Sequence, residues 1–192
     1  MLYHQPVYKE DGRMDGEACI RKAYDYILNA DFEKAIYWFE QAIAAEPGNA
    51  GYCHRCAVSC ARSGKWEKAK TYAARAVELE PNNEEYLYYW STIEAKLSVM
   101  EADKRLNKQP PDLDGAVMLL KLASERDPIS FEAWYMLALA YSEQGRLEEA
   151  AASAREALRL DYGHSAARRL FADLKRKLRQ QAKNEQLGKG KR

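Results

Sequence analysis

The chain has 192 residues, 47% of them apolar and 31% charged, and thirty basic against twenty-nine acidic side chains leave a net charge of +1. That balance suits one folded domain with a real core, and it argues against a disordered chain and against a globally basic nucleic-acid binder. Ten Gly and six Pro are few for the turns of an all-β chain, and no stretch approaches eighteen uninterrupted apolar residues, so neither a β-rich fold nor a transmembrane segment is expected.

The opening MLYHQPVYKEDGRM carries Pro6 and charges where a signal peptide needs an apolar run. Residues 1–15 therefore read as a poorly ordered leader, and the protein as cytoplasmic. Self-similarity begins after it. Ala35, Ala69, Ala116 and Ala150 stand 34, 47 and 34 residues apart, as do Ala42, Ala76, Ala123 and Ala157. The acidic residues Glu46, Glu80, Asp127 and Asp161 and the large apolar residues Phe32, Trp66, Leu113 and Leu147 repeat the same intervals. Ala23, Ala57, Ser91 and Ala138 are spaced 34, 34 and 47, which places thirteen extra residues between Ser91 and Leu113.

Within each unit, alanines seven residues apart mark two turns of one helix face, where a neighbouring helix can approach closely. Large residues such as Tyr26, Phe39, Trp90, Trp134 and Tyr141 fill the space around those contacts. Units close on Glu46-Pro47, Glu80-Pro81, Asp127-Pro128 and Asp161-Tyr162, with Asn49, Asn82 or Ser130 available to start the next helix. Gly64 and Gly145 mark turns inside two of the units. Each unit is thus a helix hairpin that cannot bury its apolar face alone, so neighbours must stack.

These residues resemble the tetratricopeptide-repeat (TPR) family from about Gly16 to His164. The fourth copy is the nearest to its pattern, with Trp134, Leu137, Ala138, Tyr141, Gly145, Ala150 and Ala157 in place. The first copy departs at Lys22, and the third at Glu94, where an aromatic is usual, and through its insertion. The resemblance implies an all-α, right-handed superhelical solenoid of stacked antiparallel hairpins. The expected organisation is one helical domain over 16–182, with repeats at about 16–49, 50–83, 84–130 and 131–164, a capping helix at 165–182, and a disordered basic tail at 183–192.

The insertion is expected to lengthen the third unit's first helix, since Leu87, Trp90, Ile93, Leu97 and Met100 keep helical spacing from Glu84 to about Asn107. At 1.5 Å per residue the helix would measure roughly 36 Å, and its extra turns would project past the stack or pack on its end. Over residues 165–182, Ala167, Leu170, Phe171, Leu174 and Leu178 share one face, backed by Arg168, Arg169, Lys175, Arg176 and Arg179. From Arg168 onward ten basic and two acidic residues give a local +8, so residues 1–167 carry about −7.

Cys53, His54, Cys56 and Cys60 invite a zinc or redox reading. In the repeat frame, however, Cys53, Cys56 and Cys60 occupy the slots of Trp134, Leu137 and Tyr141, and Cys19 that of Cys53. All four are expected as small core residues, with no metal site and no cofactor. No phosphate loop, H-E-x-x-H or G-x-S-x-G occurs, so no enzyme is expected.

In the TPR family the first helix of each unit lines a concave groove that takes peptides. That frame nominates Ile20, Arg21, Tyr24 and Leu28, then His54, Arg55, Val58 and Arg62, then Tyr88, Tyr89, Thr92 and Lys96, and last Tyr135, Met136 and Leu139. Tyr and Arg are effective anchors because each offers a large contact area and a polar handle. A cationic first half and an aromatic second half imply a partner segment that bears acidic beside apolar groups. The carboxylate clamp of one chaperone-binding subgroup is absent: its positions hold Ile20, Tyr24, Arg55, Glu85 and Tyr89. The leading expectation is a non-catalytic adaptor or scaffold with a protein or peptide partner. The alternatives are a co-chaperone-type or self-assembling scaffold, a homo-oligomer built through the long helix, and RNA or anionic-membrane association through the basic end.

Overall fold

The computed structural model describes residues 15–189, and among them the secondary structure is entirely helical. The helices run in chain order: α1 Gly16–Leu28, α2 Phe32–Ala45, α3 Ala50–Arg62, α4 Trp66–Leu79, α5 Glu84–Leu106, α6 Leu113–Arg126, α7 Phe131–Glu143, α8 Leu147–Leu160 and α9 Ser165–Lys189. The pairs α1/α2, α3/α4 and α7/α8 pack as hairpins. The residues divide between Ile93 and Glu94 into two compact units, each with its own interior.

Helix starts follow the repeat. Asp15, Asn49, Asn83 and Ser130 accept from backbone N–H groups two or three residues ahead, at α1, α3, α5 and α7. His164 takes the same place before α9, its Nδ1 accepting from Ala167 N at 3.2 Å. The cap of α5 is therefore Asn83 and not Asn82, because Asn83 stands 34 residues after Asn49 and its side chain reaches the amides of Glu85 and Tyr86. Asp31 and Asp112 cap α2 and α6. Asp15 belongs to the helical part, as the cap of α1, while residues 1–14 of the expected leader lie outside the described residues.

The turn inside each of three hairpins has one form. The carbonyls of Tyr26, Cys60 and Tyr141 accept from the N–H groups of Asp31, Lys65 and Arg146, each at 2.9 Å. The residue before each donor has positive φ: Ala30 at 56°, Gly64 and Gly145 at 74°. A helix end closed in this way wants a residue without a Cβ penalty in the left-handed region.

In the first unit the interior is made by Ala23, Ala35, Phe39, Ala42, Ala57, Ala69 and Ala76 with the cysteines, all essentially inaccessible. All four cysteines are free thiols, and buried, as the repeat frame requires. Burial raises the thiols of Cys19 and Cys53 above their ordinary range. Cys56 is raised further by its hydrogen bond to Cys60, with burial adding to the effect.

In the second unit, Ala95, Val99 and Ala102 of α5 join Ala116, Leu120 and Ala123 of α6 and Leu137, Ala138 and Tyr141 of α7 in one core, closed by Ala154 of α8 and Leu174 of α9. The added turns of α5 are therefore built into the interior of this unit and do not project, because Ala95, Val99, Ala102 and Leu106 continue an apolar stripe. Glu94, in the position of Cys60 and Tyr141, is buried and bonded to Arg126 of α6 at 3.0 Å. The turn after α5 is fastened by Arg105 Nη1 on Asp112 Oδ2 at 2.9 Å.

Helix α9 continues to Lys189, beyond the expected end at 182. Lys, Glu, Gln and Leu favour helix and no proline intervenes, so the stretch expected as a disordered tail is helical as far as Lys189. Residues 190–192 lie outside the described residues.

Candidate protein-binding surface

In the first unit, α1 and α3 bring Tyr24 and Arg55 together, the guanidinium carbon lying 5.9 Å from the ring centroid. Arg62 stands over Phe32 at 4.7 Å. Arg21, Arg55 and Arg62 are exposed, and among the described residues none has a carboxylate partner. Tyr24 is 43% exposed, Leu28 85% and Tyr88 53%. The surface offered by α1, α3 and the first turns of α5 is thus aromatic and aliphatic, with unneutralised cations beside the rings.

His54 lies between two tyrosines of α5. Its ring stacks on Tyr86 at 4.8 Å and meets Tyr89 edge-on at 5.1 Å. Its Nε2 is 3.4 Å from Glu85 Oε1, while Nδ1 is buried with no hydrogen-bond partner. Burial, ahead of the opposing pull of Glu85, lowers the pKa of the imidazole below its ordinary value. Tyr86 and Glu85 were not among the nominated residues. Tyr86 does stand in the repeat slot of Tyr52, whose hydroxyl donates to Glu17 at 3.1 Å across the preceding helix pair.

Several nominated residues are engaged in packing. Ile20 is only 4% exposed, because it shares the α1 face of Gly16 and Ala23. Val58, Tyr89 and Thr92 are half-buried, and Thr92 Oγ1 donates to Tyr89 O at 2.8 Å. The remaining nominees belong to the second unit. Met136 packs against its core, since its slot adjoins Leu137. Lys96 is paired with Glu132. Tyr135 stacks on Phe131 at 5.6 Å and touches His164 at 5.2 Å, so it is partly covered, while Leu139 is 37% exposed. Ile20 and Met136 are accordingly withdrawn from the exposed surface. Phe131 and His164 join Tyr135 in an aromatic cluster that the periodicity of the first helices did not disclose. The exposed, uncommitted nominees concentrate on the first unit.

Among the described residues no three His, Cys, Asp or Glu side chains are arranged to hold a metal ion, and no helix is long and apolar enough to cross a membrane.

Helix hairpins with alanine-lined contacts define a helical-repeat protein, and the comparisons agree. Two family models described as tetratricopeptide repeat match residues 26–88 and 131–164. The chain belongs to the tetratricopeptide-repeat family. No curated protein matches it. Among solved structures, MamA 41-end from Desulfovibrio magneticus RS-1 is similar with a TM-score of 0.53 and 17% identity, over 91% of this chain and 92% of that one. MamA of AMB-1 is similar with a TM-score of 0.53 and 20% identity, over 85% and 82% of the two chains. At such identities the likeness speaks for the all-α TPR fold. Family and fold together support a role in protein–protein interaction or scaffolding.

Proposed function

We propose that this chain is a non-catalytic interaction module that holds a segment of a partner protein on the surface of α1, α3 and the start of α5. The observation that carries the reading is the coincidence there of exposed Tyr24, Leu28 and Tyr88 with Arg21, Arg55 and Arg62, none of them paired to a carboxylate among the described residues. Exposed aromatic rings beside uncompensated guanidinium groups exceed what solubility asks of a helix surface. A complementary segment carries acidic side chains to meet the arginines and an apolar side chain to cover the tyrosines.

The test is selection of displayed peptides against the full chain, followed by titration against a variant carrying Tyr24→Ala, Arg55→Ala and Tyr88→Ala. All three side chains are exposed enough to be cut back without opening the core. Selected peptides should combine acidic and apolar residues, and the variant should bind them at least about tenfold more weakly while melting at the same temperature. Equal affinity for wild type and variant would defeat the proposal.

A further inference from the structure

A second recognition feature lies on the solvent side of α8 and α9, where a cavity of about 590 Å³ opens between the two helices. Its size falls within the ~300–1,000 Å³ range of ligand clefts. The floor is apolar: Leu158 comes from α8 and Phe171 from α9, with Tyr162, 76% exposed, at the connecting turn. The rim is cationic. Arg155 and Arg159 stand one turn apart on α8, and Arg168 and Lys175 stand two turns apart on α9.

Charge decides the occupant. Glu156 is the one acidic residue among those lining the cavity, and it is already bonded to Arg159 at 2.9 Å. Arg155 and Arg168 make no side-chain ion pair among the described residues, and Lys175 lies 5.4 Å above the Phe171 ring. Three of the four rim cations, Arg155, Arg168 and Lys175, are therefore not neutralised from within the unit among the described residues. A free phosphate or a nucleic-acid backbone would satisfy the rim but leave the apolar floor uncovered. An apolar ligand alone would leave the cations without a counter-charge.

The geometry points to a binding site for an acidic peptide that inserts one aromatic side chain between α8 and α9, its carboxylates meeting Arg155, Arg168 and Lys175 while Arg159 stays on Glu156. The site shares no residue with the α1/α3/α5 surface and would stand if that proposal failed. It also gives the basic character of α9 a specific use: the cations nearest the cavity fix an acidic segment, and the ring between them selects it.

The experiment measures fluorescence anisotropy of a labelled, end-blocked peptide with one Phe flanked by Asp and Glu, titrated with the full chain. Saturable binding is expected, weakened at least about tenfold when the peptide's Phe becomes Ser, because a buried ring is lost. Arg155→Glu with Arg168→Glu in the protein should weaken it at least about tenfold as well. The Tyr24/Arg55/Tyr88 variant should bind this probe within about twofold of wild type, which separates the two surfaces. A photo-crosslinking benzophenone in place of the peptide's ring should label α8 or α9, a readout that does not depend on any variant folding. Absence of saturable binding, indifference to the Phe, indifference to the arginine reversals in a variant of unchanged helicity, or crosslinks confined to other helices would each overturn the assignment. So would sedimentation with phosphatidylserine vesicles through the same arginines by a chain that ignores the peptide.

Discussion

Ala30 has φ 56°, in the turn position that Gly64 and Gly145 fill at 74°. A Cβ in the left-handed region is strained, and the two glycines show what the position favours. Ala30→Gly should therefore raise stability by about 0.5–1 kcal/mol, the relief of strain exceeding the added freedom of the unfolded chain. Urea unfolding would show it as a higher midpoint at unchanged slope, and a lower midpoint would refute it. His54 sets a second expectation at this scale. With Nε2 toward Glu85 and Nδ1 buried without an acceptor, a second proton has nowhere to donate. Since the folded-state pKa lies below the ordinary 6.5, the unfolded chain binds the proton more readily as the pH falls. Stability should hold above about pH 6.5 and decline below it, until the folded form is protonated too. The decline in melting temperature from pH 7.5 to 5.5 should be shallower in His54→Gln, and an equal decline would remove His54 from the account. The thiols of this unit were readable as core residues from their slots alone. The ring contacts of His54 were not, since they depend on how α5 lies against α3.

At the scale of elements, the helices follow from the repeat: caps at Asp15, Asn49, Asn83, Ser130 and His164 are spaced 34, 34, 47 and 34 residues apart. Helix α5 shows how one element absorbs a departure from the pattern. Glu94 replaces an aromatic side chain, and Arg126 compensates from α6 at 3.0 Å. Removing one partner of such a pair leaves a buried charge less well compensated, so Arg126→Ala should cost about 1–3 kcal/mol, moderated by the partial exposure of the arginine. Adding Glu94→Leu should recover most of that loss, because the carboxylate leaves with its partner. Thermal melts of the single and double variants decide the matter, and a double variant weaker than Arg126→Ala alone would contradict it. The fate of the insertion was only half legible. Apolar spacing predicted the length of α5, but the choice between projection and burial rested on α6 and α7, whose buried residues share one core with Val99 and Ala102.

For the molecule as a whole, the net charge of +1 conceals a division that the structure turns into surface chemistry. The basic end is carried on a long helix, α9, and part of it borders the cavity against α8. Both proposed surfaces call for acidic beside apolar groups, so the paired variants are what separates them in solution. The Tyr24/Arg55/Tyr88 variant should lose the selected segments and keep the acidic-aromatic probe, and the Arg155/Arg168 reversal should do the opposite.

By itself the sequence determined the period, the helix hairpins, the alanine contacts and the placement of the cysteines, because each depends on residue type at a fixed interval along one chain. Exposure was a different matter. A helical face read from periodicity is uncertain by about one residue's rotation, roughly 100°. Even a smaller angle can separate burial from exposure: Ile20, buried at 4%, and Tyr24, exposed at 43%, stand four residues and so only about 40° apart on the same helix. Only the tertiary structure decided which nominees remain free, which of them His164, Glu132 and the core engage, and that α8 and α9 leave a cation-rimmed space between them. Those outcomes turn on distances of a few ångströms between helices, which no interval along the chain encodes.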